Sequence, residues 1–119
     1  MRLNLTAALL AVTVGAQAET PADFENRFAT QAKQENPAFV GFSAEQGQRF
    51  YARTHGKEWS CASCHGRSPA AIGQHVATGK TLAPLAPAAN PERFTRPDKV
   101  EKWFKRNCNE VLGRECSAQ

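Results

Sequence analysis

Cys61-Ala62-Ser63-Cys64-His65 is the stretch on which the reading of this chain turns. It has the C-x-x-C-H form of a haem attachment motif. Two thiols separated by two residues reach the two vinyl-derived carbons on one edge of a porphyrin, and the adjacent histidine then falls beneath the iron. Covalent links of this kind hold a large apolar cofactor although the protein around it is small. Two other chemistries use the C-x-x-C spacing. One is half of a zinc site, completed by Cys108 and Cys116, but those two are spaced too widely for a usual zinc-binding pair. The other is a thioredoxin-like redox pair, and no βαβ pattern surrounds the motif.

The N-terminus supplies the context. Arg2 gives a short positive region, Leu5 to Ala16 is apolar, and Ala16-Gln17-Ala18 is an A-x-A cleavage signal ahead of the polar Glu19-Thr20-Pro21. This reads as a secretory signal peptide over residues 1–18, too short to span a bilayer as a stable helix. Residues 19–119 are then the cytochrome domain, soluble and without membrane insertion, and export places it in the periplasm of a Gram-negative bacterium. Without Arg2, fourteen basic residues oppose eleven acidic ones, a charge of +3 that two haem propionates would nearly cancel. With no basic run interleaved with aromatics, nucleic acid is not an expected partner. The basic segment Lys99 to Arg106 also holds Glu101 and reads as a solvated helix face.

Helix signals fall in three places. Thr20-Pro21-Ala22-Asp23 opens the first, with Phe24, Phe28 and Ala32 on one stripe and Asn36-Pro37 as its end. Ser43-Ala44-Glu45-Gln46 reads as a capping box for the second, whose inner face is Gly47, Phe50 and Tyr51, with Gly47 permitting another backbone to approach; Thr54 to Gly56 ends it. Thr95-Arg96-Pro97-Asp98 opens the third with a cap and early negative charge. Its stripe is Val100, Trp103, Phe104, Asn107 and Val111, and Gly113 terminates it. Between Gly66 and Arg96 no periodicity stands out, and Gly73, Gly79, Pro84, Pro87 and Pro91 mark mostly loop. So long a loop needs something to wrap around, and a haem face would serve.

The second axial ligand is constrained by composition. Met1 is the single methionine and leaves with the signal peptide, which excludes a His/Met carrier. His55, His75, Asn107, a lysine or an open position remain. In an oxidising compartment Cys108 and Cys116 are expected to form a disulfide, pinning the segment after Asn107.

Further residues carry a resemblance. Thr78-Gly79-Lys80-Thr81-Leu82-Ala83-Pro84-Leu85-Ala86-Pro87, Pro91-Glu92-Arg93-Phe94-Thr95, Lys99-Val100-Glu101-Lys102-Trp103 and Arg106-Asn107-Cys108-Asn109-Glu110-Val111-Leu112-Gly113-Arg114-Glu115-Cys116, with Cys61 to His65, resemble the sphaeroides haem protein family and its relative cytochrome c-double-prime. The resemblance implies an all-α class I cytochrome c fold around one covalent haem c, with a disulfide near the distal ligand. It implies Asn107 as that ligand, at the position where cytochrome c-double-prime has a histidine. Family members continue into a C-terminal helix, whereas this chain stops at Ser117-Ala118-Gln119, so the Gly47, Phe50 and Tyr51 face is expected to lack its usual cover.

An amide oxygen is a hard donor that suits ferric better than ferrous iron. Reduction should therefore release Asn107 and open the position to oxygen, nitric oxide or carbon monoxide. The resemblance implies such a switch in an electron-transfer protein fed by a multihaem or membrane-bound cytochrome. A plain shuttle is the second reading. An enzyme reducing oxygen, peroxide or a nitrogen oxide is the third, with His55, His75 or Arg106 as the available acid/base groups.

Overall fold

The computed structural model describes residues 18–119. The expected signal peptide lies, but for Ala18, in residues 1–17, outside the described residues. Helices dominate: α1 (Pro21–Glu35), α2 (Ala44–Ala52), α3 (Cys61–His65) and α4 (Pro97–Leu112). Between α3 and α4 lies a two-stranded antiparallel hairpin, β1 (Gly73–Gln74) and β2 (Thr81–Leu82), with Gly73 opposite Leu82. No helix among the described residues is long and apolar enough to cross a membrane.

Capping chemistry sets the first boundary. The Thr20 hydroxyl accepts from the Asp23 N–H while the Asp23 carboxylate takes the Thr20 N–H, a full capping box. The hydrogen bonds from Thr20 hold the exposed Asp23 carboxyl below the usual range. Asn36 closes α1, and Phe24 and Ala32 are buried. On α2 only half of the expected box forms: the Ser43 hydroxyl accepts from the Gln46 N–H. The helix ends at Ala52, ahead of Thr54 to Gly56.

Two expectations are corrected in this region. The α2 face is open, with no α2 residue buried and Phe50 38 % exposed. The expected close approach at Gly47 is absent among the described residues, because a side chain there would meet nothing within 4 Å. Thr95 does not cap α4; its hydroxyl donates to the Glu92 carbonyl. Pro97 forces the residue before it into extended backbone, so Arg96 becomes the N-cap and Thr95 falls outside the helix. The stretch between α3 and α4 is mostly loop and adds one hairpin, whose two-residue strands are too short to show an alternating pattern.

The core is small. Phe24, Ala32, Phe39, Val100 and Cys108 are its buried apolar side chains. Phe28 of α1 meets Phe104 of α4 edge to face, with ring centroids 5.3 Å apart. Phe24 contacts Phe94 in the same manner at 6.4 Å. The single stripe expected on α4 therefore divides. Val100, Phe104 and Cys108 follow each other at helical spacing, Val100 and Cys108 buried and Phe104 against Phe28 though 42 % exposed, whereas Trp103 and Asn107 lie on a neighbouring strip and are exposed. Gly113 ends α4 in the left-handed conformation.

The decisive packing contact is made by a residue with no side chain. A Cβ built on Gly73 would lie 2.3 Å from the Cys64 carbonyl oxygen and 2.9 Å from the His65 Cα. These are backbone atoms, so β1 rests directly on α3. Gly73→Ala is expected to destabilise the protein by about 1–3 kcal/mol through this overpacking. Gly47→Ala, in open space within a helix, is expected to stabilise it by about 0.5–1 kcal/mol. Denaturant unfolding of the two variants checks both signs.

Candidate haem site

The motif forms its own short helix. Ser60, buried and 6 % exposed, caps α3: its hydroxyl accepts from the Ser63 N–H and its N–H donates to the Ser63 hydroxyl. Cys61, Cys64 and His65 thereby occupy one helical turn, with the two thiols three residues apart on one face. Both thiols are free and half-buried. Burial pushes the Cys61 thiol up, the reverse of what a nucleophilic redox pair requires. Tyr51 of α2 donates its hydroxyl to the Gly66 carbonyl at 2.7 Å, fastening the end of α3 to α2. Burial raises the Tyr51 pKa, which keeps this donor protonated.

His65 is half-buried. Burial, helped by the charge of Arg93, holds its pKa below the ordinary value and favours the neutral ring, the form that binds a metal. Its Nδ1 is buried without a hydrogen-bond partner among the described residues. Arg93 donates from Nε to the Pro84 carbonyl at 2.9 Å and from Nη2 to the Ala83 carbonyl at 3.0 Å. The Leu85 and Ala86 N–H groups in turn bond the Pro69 carbonyl. These bonds bring the proline-rich segment alongside the motif.

Asn107 is exposed in the middle of α4, one turn after Trp103, and its side-chain amide makes no hydrogen bond among the described residues. Trp103 is 44 % exposed and carries the Arg106 guanidinium over its ring at 5.3 Å. Directly after Asn107, Cys108 is buried and joined to Cys116. That bond removes the zinc alternative, because neither sulfur is free to complete a Cys61/Cys64 site.

The remaining candidates sit elsewhere. His55 stacks on Phe50 with its Nε2 2.8 Å from the Phe50 carbonyl, occupied at the end of α2. His75 lies beside β1 and is engaged with Glu110 of α4. Sequence reasoning missed the parts played by Gly73, Tyr51, Arg93 and the His75–Glu110 contact. The short spacing from Ser60 to Ser63 was a signal for the α3 cap; the others are tertiary contacts with no local signature.

Cys61 and Cys64 unpaired on one face, a neutral histidine with an orphaned ring nitrogen, and exposed Ile72, Val76 and Trp103 on the flanking elements fit an apolar macrocycle with a central metal. The comparisons agree. Residues 37–119 match a family described as a domain of unknown function (DUF1924). Cytochrome c'' of Methylophilus methylotrophus is 42 % identical over 95 residues, covering 76 % of this chain and 66 % of that protein. Cytochrome c-type protein SHP of Cereibacter sphaeroides is 49 % identical over 78 residues, covering 62 % and 60 %. The matches thus span slightly less than two thirds of each relative's length. The crystal structure of oxidised cytochrome c'' superposes with a TM-score of 0.75 at 40 % identity, covering 82 % of both chains. That of oxidised SHP, described as an oxygen binding cytochrome c, gives 0.73 at 37 % identity, covering 85 % of this chain and 88 % of the other.

The fold and the relatives are those of a c-type cytochrome, a class whose cofactor is haem c. Within that class the chain belongs to the family of cytochrome c'' and SHP, and through residues 37–119 to the DUF1924 family.

The disulfide closes a short loop at the end of α4, with the two cysteines eight residues apart. Replacing both by serine is expected to cost about 2.5 kcal/mol by the chain-entropy relation for so small a loop. Urea unfolding of the paired variant beside the parent measures it.

Proposed function

We propose that this chain is an exported, periplasmic cytochrome with one covalent haem, whose distal ligand Asn107 is held in the oxidised state and released on reduction. In this reading Cys61 and Cys64 carry the thioether links and His65 is the proximal ligand. The observation that carries the proposal is the pairing of an exposed Asn107 amide, without a hydrogen bond among the described residues, with a composition that offers no methionine beyond Met1. Bound at α3, the haem supplies one-electron transfer and an iron position that can take a sixth ligand.

Residues of α4 govern the hold and the release. The amide oxygen of Asn107 is a hard donor and grips ferric iron better than ferrous iron. It carries no charge, so it adds no ionic attraction to that preference. Cys108, buried and cross-linked one residue later, restricts how far the released side chain retreats. Trp103, one turn earlier, flanks the same strip with an apolar ring that is 44 % exposed. Release therefore opens a small site suited to a diatomic ligand, oxygen or nitric oxide, with a cytochrome as the expected electron donor.

Two measurements test the switch on protein matured in a host that assembles c-type cytochromes. The ferrous protein is expected to bind carbon monoxide, with a shift of the Soret band, while the ferric protein keeps an unchanged six-coordinate spectrum under the gas. Asn107→Ala should lose the six-coordinate ferric spectrum while its ferrous form still binds carbon monoxide. A ferric spectrum unchanged in the variant would refute the asparagine switch. A colourless product lacking the added mass of haem would refute the cofactor assignment itself.

A further inference from the structure

Among the described residues one polar side-chain contact joins the segment that carries His65 to the helix that carries Asn107. His75 directly follows β1, and its Nε2 lies 3.3 Å from Glu110 Oε1 on α4. No other hydrogen bond or ion pair among the described residues links residues 61–95 to α4. The side chains are 21 % and 33 % exposed, which makes this the most sheltered contact between a carboxylate and a basic side chain among the described residues.

The ring is oriented on three sides. The Ala77 and Thr78 N–H groups donate to its Nδ1 at 3.2 and 3.4 Å, which makes Nδ1 the acceptor and leaves the proton on Nε2. That proton points at the Glu110 carboxylate. The Trp59 indole closes the third side, edge-on at 6.4 Å. A side chain so constrained loses little freedom in making its contact.

The contact lies at the end of a continuous chain of packing. Gly73 rests on the backbone of Cys64 and His65, Gln74 follows, and His75 comes next. Across the contact, Glu110 stands three residues after Asn107, one turn along the same side of α4. We propose that His75 and Glu110 are positioning residues that fix α4, and with it Asn107, at a set offset from the histidine on α3. This inference rests on the reading of Asn107 as the distal ligand. Its consequence is that the pair strengthens the hold of Asn107 in the ferric protein without touching the iron.

An external ligand must displace Asn107 to bind the ferric protein, so imidazole affinity reads the strength of that hold. The holoproteins to compare are the parent, Asn107→Ala, Glu110→Ala, His75→Phe, and the double variant of Asn107 and Glu110. Asn107→Ala is expected to bind imidazole more tightly than the parent. Glu110→Ala and His75→Phe should each bind it about two- to fivefold more tightly, the range open to a partly exposed pair. Glu110→Gln and His75→Gln, which keep an acceptor and a donor, should return to within about twofold of the parent.

In the Asn107→Ala background, Glu110→Ala should add nothing. Amide hydrogen exchange over residues 105–112 of ferric Glu110→Ala should quicken while that of α1 stays unchanged. Parent-like affinity and exchange in Glu110→Ala, beside a tighter Asn107→Ala, would overturn the positioning role and leave the ligand assignment standing. Parent-like affinity in Asn107→Ala would overturn the ligand assignment. An undiminished effect of Glu110→Ala in the Asn107→Ala background would show that Glu110 acts by another route, and would also overturn the positioning role.

Discussion

The contact between β1 and the backbone of α3 is the constraint on which the rest of the site depends. The five buried apolar side chains among the described residues make a small core to organise them from within. Order near the motif comes instead from backbone packing: Gly73 on Cys64 and His65, Tyr51 on Gly66, and the Pro69 carbonyl on Leu85 and Ala86. These are short-range contacts between loops and one helical turn. They leave apolar groups such as Ile72 and Trp103 uncovered, and a large flat cofactor is the kind of body that satisfies such a surface.

The two sides of the site are built on different physical terms. On the α3 side, capping by Ser60 and the close fit of Gly73 leave His65 little freedom. On the α4 side, the helix is anchored to α1 by Phe104 against Phe28, while the strip carrying Asn107 faces outward. A rigid proximal group and a distal group on a separately anchored helix form an arrangement that supports a fixed ligand on one side and an exchangeable one on the other. The proposed redox response needs no large motion, because a neutral amide has only a modest grip to surrender.

Much of this was legible in the sequence. The ends of α1 could be read because Thr20, Asp23 and Asn36 are local capping signals, and Gly113 marked the end of α4 in the same way. The pentapeptide of α3 named its chemistry because that spacing is set by the cofactor's own dimensions. What failed to show was tertiary. Nothing near Gly73 in sequence reveals that Cys64 lies against it, and nothing near His75 reveals Glu110. The misplaced α4 cap has a local cause that outweighed the hydroxyl of Thr95: proline dictates the backbone of its predecessor. The open face of α2 was legible only through the resemblance, because helical periodicity marks a face without saying what covers it.

The four cysteines have two different fates. Cys108 and Cys116 are joined to each other, while Cys61 and Cys64 stand unpaired on a single helical turn, where the proposed haem would take them. Four cysteines allow three complete pairings, and two of them draw an α3 sulfur into a bond with α4 or its tail. Biogenesis of this chain is therefore a sorting problem as well as a folding one. The oxidant that closes the α4 loop has to spare, or a reductant has to restore, a vicinal dithiol in an element well upstream.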